Sequence, residues 1–344
     1  MYKRNLNIEV IRIISMLMIV FHHFSIHTNW ILPDDIGVRK YFVLTLGYYG
    51  KIGVILFILI TGFFFYRQTF SLKKIFRLNN QVTFYALVLF FFSLIWEDFI
   101  KDRLIKSTFP IIFDQYWFVT GYVLLLLLQP LFKNYLSETP RQKKGKFFFI
   151  FTGLTYLPVY FGFIFQIEQH FTPSTYLVFL LVVLLGDLIR EYYDELTTTL
   201  FKYVICTFVF SLILIQNQYF IIQFLTKYEL DYPGFIINGT ESLNAILFSF
   251  SLFVIILKLS ISPQLSKMIL FISGVTFDVY LIHDNQNIRQ LIWNKFFNSS
   301  DFYWSNKLFL IGILGPIFVF IACVFIARFK IFLEFKIKKH GLKF

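Results

Sequence analysis

Charge is scarce in this chain. Only 15% of its 344 residues are Asp, Glu, Lys or Arg, against about 25% in a soluble globular domain, which excludes a fold whose surface is built for water. Cysteine is almost missing as well. Cys206 and Cys323 both lie inside apolar runs, so neither a disulfide framework nor a cysteine zinc site is implied. No solenoid-period repeat and no polar low-complexity linker interrupts the chain. Acidic residues are the scarcer sign, 20 against 32 Lys and Arg, giving a net charge of +12. The basic residues sit in short clusters between apolar runs rather than on one surface, which excludes a nucleic-acid reader and marks them as topology signals.

What the chain has in abundance is apolar surface: 57% hydrophobic residues, with 49 Phe alone. Runs of about 17–25 such residues recur along the whole length, and a bilayer core needs about 20 per helix. Reading them between polar breaks gives ten candidate spans, near 8–26, 47–66, 80–97, 116–133, 147–165, 174–190, 201–225, 242–259, 267–283 and 308–328. The first run follows Lys3 and Arg4, but it contains Glu9, Arg12 and a His pair and lacks an Ala-x-Ala-like end, so it reads as a retained helix, not a cleaved signal. With the N-terminus inside, 21 of the 32 basic residues fall on the cytoplasmic side, among them Lys73, Lys74, Lys143, Lys144, Lys146 and a tail from Arg328 to Lys343. That bias is the positive-inside pattern. The expected fold is therefore an all-α polytopic transmembrane helical bundle of about ten spans with cytoplasmic N- and C-termini. Residues 1–344 are expected to form a single membrane domain without an appended soluble domain, in the plasma membrane.

An ionisable side chain within a span costs about 2.5–3.5 kcal/mol on insertion scales, yet the first span carries Glu9, Arg12, His22 and His23. At about 100° per residue Glu9 and Arg12 are neighbours at i,i+3, and Arg12 and His23, eleven residues apart, share one face. The rise of about 1.5 Å per residue puts roughly 16 Å between them. Ser15, Met16 and Ile19 lie on that face, and His22 points elsewhere. His23 and His27 stand at i,i+4, but the sequence places no carboxylate or third histidine beside them to complete a metal site, and no metal is expected.

This pattern resembles the acyltransferase-3 family, the bacterial ten-span transmembrane acyltransferases. Their first helix carries an acidic residue, an Arg three later and a His after ten more, here Glu9, Arg12 and His23. The resemblance continues through Gly50-Lys51-Ile52-Gly53-Val54-Ile55-Leu56-Phe57 to Thr61-Gly62-Phe63, with Thr in place of the commoner Ser. It extends to Tyr116-Trp117-Phe118 and Pro130 in the fourth span, and to Thr276-Phe277-Asp278-Val279-Tyr280-Leu281-Ile282-His283 in the ninth, where Asp278 stands in a position at which Gly is common.

The resemblance implies an O-acyltransferase that moves an acetyl group from acetyl-CoA to a hydroxyl of a surface or exported glycan, with capsule or exopolysaccharide favoured. Histidine suits the base because its ordinary pKa of about 6.5 allows proton uptake and return near neutral pH. The expected catalytic set is His23 as base, Arg12 holding the anionic donor through its fork of donors, and Glu9 orienting Arg12. His283, with Tyr280, Trp117, Asn285 and Arg289, is the expected substrate-binding set. Direct attack and a covalent relay both remain open. The competing reading is a transporter or flippase of lipid-linked sugars, since intramembrane charges also mark translocation paths.

Overall fold

The computed structural model describes residues 4–34, 37–67, 69–166, 173–228, 239, 241–297 and 302–339; Lys3 and Lys343 lie outside them. Helices α1 (Leu6–His27), α2 (Val38–Phe64), α3 (Leu72–Ser93), α4 (Lys101–Thr108), α5 (Trp117–Glu138), α6 (Arg141–Phe165) and α7 (Thr175–Glu191) come first. They are followed by α8 (Tyr193–Thr197), α9 (Phe201–Lys227), α10 (Leu243–Lys258), α11 (Ser266–Ser273), α12 (Thr276–His283) and α13 (Lys307–Lys339), and no strand occurs among the described residues. A chain with this little charge must satisfy its backbone polar groups within each segment, and in lipid an α-helix does so.

Among the described residues eight segments are long and apolar enough to cross a membrane, and each coincides with an expected span: α1, α2, α3, α5, α6, α9, Pro263–His283 and Lys307–Ile337. The other two expected spans form shorter helices, α7 with 17 residues and α10 with 16. Several boundaries move outward. α2 begins at Val38, because Gly47 and Gly50 do not break a helix inside apolar surroundings. α13 runs for 33 residues, because no Gly or Pro follows Pro316 until Gly341 and the basic tail continues its last turns.

The helices gather into two compact units: Met1–Gly47 with Lys73–Thr120 and Ser262–Phe344, and Tyr48–Leu72 with Gly121–Ile261. In the second unit α2 and α7 cross at two glycines. A Cβ added to Gly62 would lie 2.2 Å from the Val183 carbonyl oxygen, and one on Gly186 would lie 2.5 Å from that of Leu59. Close backbone approach through small residues is how helices associate without a hydrophobic drive. Gly62→Ala is therefore expected to destabilise the protein by about 1–3 kcal/mol through overpacking, read as faster loss of monodisperse protein on heating in detergent; unchanged heat resistance would contradict this crossing.

The same unit encloses an ion network. Lys144, with no exposed side-chain surface, donates to the Leu136 carbonyl at 2.7 Å, to Asp187 Oδ2 at 2.6 Å and to Glu191 Oε1 at 2.6 Å. Arg190 closes the network on Asp187 Oδ1 at 2.5 Å while stacking 4.0 Å over the Tyr66 ring.

In the first unit α1 packs against α11, α12 and α13. The ninth span is broken between α11 and α12 at Gly274 and Val275, a break that would strand carbonyls in lipid. Arg328 of α13 caps the break, donating to Phe271 O and, beside the Gly274 N–H, to Leu270 O at 3.1 Å. Asp278, where Gly is common in the family, accepts from Gln81 Nε2 at 2.8 Å and faces Lys330 Nζ at 3.9 Å. The side chain is thereby paired on a buried helix.

Candidate active site

α12 has only eight residues and buries seven of them, Thr276 and Asp278 to His283. Its C-terminal carbonyls lack partners within the helix. Tyr116 supplies one, donating from its hydroxyl to Leu281 O at 3.0 Å, and in turn accepts from Asn285 Nδ2 at 2.6 Å. Asn285 Oδ1 accepts from the Asn287 N–H at 2.9 Å, and Asn287 Nδ2 donates to Ser107 Oγ at 3.2 Å. These bonds fix the chain as it leaves α12.

The end of α1 is fixed from the same side. Asn294 in the π-helical turn Leu291–Phe296 donates to His27 O at 2.8 Å and accepts from the Asn29 N–H at 2.6 Å. The fully buried Trp293 of that turn packs edge-on against Phe24 and His283.

Between these supports the two helices present their histidines to one another. His23 Nδ1 lies 2.9 Å from His283 Nε2, and His283 Nδ1 lies 2.6 Å from the Val279 carbonyl oxygen. A carbonyl only accepts, so His283 Nδ1 carries the proton. In a neutral His283 ring Nε2 is then the acceptor, and His23 Nδ1 must donate to it. With both rings neutral, the lone pair of His23 is thus placed on Nε2. The Val279 carbonyl sets the tautomer of a histidine 260 positions distant in sequence from His283.

Asp284 completes the cluster. Its Oδ1 lies 2.8 Å from Arg289 Nη2, 3.4 Å from His27 Nε2 and 3.7 Å from His23 Nδ1. Burial by itself would raise this carboxyl, but the His23 and His27 rings and the Arg289 guanidinium outweigh it and hold the group below the usual carboxylate range. Asp284 and Arg289 neutralise each other at the edge of the histidines. His22 turns away, its Nδ1 against the Gly47 carbonyl.

Of the residues expected from sequence, His23, His283, Tyr280, Asn285 and Arg289 are brought into this cluster. Tyr280 stacks at an angle on Tyr116 and meets the His283 ring edge-on. Trp117 packs edge-on against Phe118. Glu9 and Arg12 lie three turns down α1. Glu9 is buried, Arg12 is 40% exposed, and their closest atoms are 4.0 Å apart. Neither Arg12 Nε nor Glu9 Oε2 has a hydrogen-bond partner among the described residues. Ser15, Met16 and Ile19, between them and His23, are buried.

Sequence reasoning passed over His27 and Asp284 as site residues. The signal for Asp284 was a charge directly after a span-ending histidine; for His27 it was the i,i+4 relation to His23. What brings them together is the packing of α12 against α1, which no local pattern reports.

No curated protein and no solved structure matches this chain. A family model described as an acyltransferase domain matches residues 5–328, a stretch that includes every residue of the histidine cluster and the Glu9–Arg12 pair. By that match over nearly its whole length, together with its apolar helices, the chain belongs to the acyltransferase-3 family and is a multi-pass membrane acyltransferase.

Proposed function

We propose that this acyltransferase moves an acetyl group from acetyl-CoA to a hydroxyl of a surface or exported polysaccharide, capsule or exopolysaccharide in the first instance. It would do so in the plasma membrane, as a ten-span bundle with both termini in the cytoplasm. The observation that carries the reading is the His283–His23 relay, which leaves His23 Nε2 as a buried base with its lone pair free. His23 Nε2 takes the proton of the acceptor hydroxyl as its oxygen forms the new bond to the thioester carbonyl. The carbon–sulfur bond breaks, and His23 Nε2–H returns the proton to the departing thiolate, so that ester and free CoA thiol leave a neutral ring. His283 does not touch the acceptor in this account; it orients His23 and stabilises the imidazolium while that ring is charged. The chemistry runs on these side chains without a metal.

Arg12 meets the donor. The Arg12 side chain, 40% exposed, suits a phosphate oxygen, which Arg binds through two parallel bonds. It stands about 16 Å from His23 along the helix, a separation that pantetheine would bridge. Charge-assisted hydrogen bonds contribute about 1.5–3 kcal/mol. Arg12→Ala is accordingly expected to raise KM for acetyl-CoA about 10–100-fold with a smaller change in kcat.

Inverted membrane vesicles supplied with radiolabelled acetyl-CoA test both statements. Label is expected in the glycan fraction and is released by mild base, as for an O-acetyl ester. Label confined to free CoA products, or an unchanged KM in Arg12→Ala, would contradict the donor and acceptor assigned here.

A further inference from the structure

We infer that His23, His27 and Asp284 form a binding site for a divalent transition-metal ion of the zinc type, and that metal held there takes the acyl-transfer base out of service. The second half rests on the role of His23 proposed above; the first half does not.

The three ligand atoms, one from each residue, all lie within 4.8 Å of one another. Two of the separations are 3.4 Å, from His27 Nε2 to Asp284 Oδ1, and 3.7 Å, from His23 Nδ1 to the same oxygen. Ligands about 2.0–2.1 Å from a tetrahedral zinc stand roughly 3.3–3.5 Å apart, so small side-chain rotations close the set. His23 and His27 share a helix face at i,i+4, the spacing by which one helix gives two imidazoles to one ion. His27 Nε2 is buried, faces the carboxylate and has no hydrogen-bond partner among the described residues. A nitrogen so placed, 3.4 Å from the carboxylate oxygen, can take an ion between the two.

The donor set fixes the class of ion. Two imidazoles and one carboxylate suit zinc and its neighbours, whereas calcium and magnesium take oxygen ligands. Arg289 also reaches Asp284 Oδ1, at 2.8 Å, and orients the carboxylate as outer partners of metal ligands do.

Metal and base are mutually exclusive. In the relay, His23 Nδ1 carries the proton it donates to His283, whereas a metal needs that nitrogen deprotonated. Binding therefore breaks the His23–His283 bond and makes His23 a ligand through Nδ1, and the one remaining ring proton then sits on Nε2, the atom that must accept from the hydroxyl.

The test uses the full chain in lipid nanodiscs, stripped with chelator, equilibrated with zinc chloride, desalted and analysed by plasma mass spectrometry. About one zinc per chain is expected for the unmodified protein, and magnesium chloride should leave no metal behind. His27→Ala and the isosteric Asp284→Asn are each expected to weaken zinc binding at least tenfold, while His22→Ala retains it. Asp284→Asn covers the case in which His27→Ala fails to fold, judged by size exclusion. Zinc should also inhibit acyl transfer reversibly by chelator, with His27→Ala needing at least tenfold more. Absence of stoichiometric zinc in the unmodified protein, or equal retention by Asp284→Asn, would overturn the site. Stoichiometric zinc without inhibition would overturn its effect on the base. Retained zinc is counted without turnover, so it stands apart from whether His23 is the base.

Discussion

His23→Gln is expected to lower the acyl-transfer rate by about 10²–10⁴-fold, the range a positioned general base contributes, with KM for the acyl donor little changed. Glutamine keeps a hydrogen-bonding side chain on the buried stripe of α1 but takes up no proton. Release of CoA thiol by purified protein in nanodiscs reads the effect directly. His283→Asn provides the internal comparison. It removes the acceptor for His23 Nδ1–H while leaving His23 itself, so the lone pair is no longer assigned to Nε2. A loss of about 10–100-fold is expected, in the range found when an outer partner of an active imidazole is removed. The double variant should be no slower than His23→Gln, because residues that act as a unit do not add. If His283→Asn instead raised KM for the glycan at constant kcat, His283 would be an acceptor ligand rather than a positioning residue.

Lys144→Ala carries the largest expected loss of stability. All three Nζ protons of Lys144 are bonded, to Leu136 O, Asp187 Oδ2 and Glu191 Oε1, and both Lys144 and Asp187 are fully buried. Removing one partner leaves the other as an uncompensated buried charge, which costs about 3–5 kcal/mol. Arg190 on Asp187 Oδ1 offsets part of this. Lys146, two residues along the same helix, is exposed, and Lys146→Ala should change stability by no more than about 0.5 kcal/mol. The half-life of monodisperse protein at a fixed elevated temperature in detergent compares the two. Equal half-lives would show that the network does not hold the second unit together.

The two predictions concern residues of unequal visibility in the sequence. The stripe of α1 was legible, because an apolar run fixes a helix and a helix fixes which side chains are neighbours. Glu9, Arg12 and His23 are related by that periodicity alone, and the buried Ser15, Met16 and Ile19 follow the same face. Most span positions were legible for the same reason: a bilayer leaves the backbone few choices. Helix ends were less so. The extension of α2 back to Val38 and of α13 through its basic residues depends on where lipid ends, which composition does not mark.

Contacts between helices were not legible. Lys144 read as one more cytoplasmic basic residue, and only the fold sets it against Asp187, 43 positions on. His27 and Asp284 lacked each other in the sequence, and the relation of His283 to His23 is set by a broken ninth span whose loose carbonyls are held by Arg328. That break was hidden too: Gly274 and Val275 read as part of a continuous apolar run, since Gly is common in membrane helices.

The measurement that bears most directly on the account is the O-acetyl content of surface glycan, by NMR, in cells producing the unmodified protein or His23→Ala at equal levels. Loss of the O-acetyl signals in the variant, with the glycan otherwise intact, is the predicted result. Equal acetylation in both would contradict the assignment of His23 as the base, whatever the helices around it.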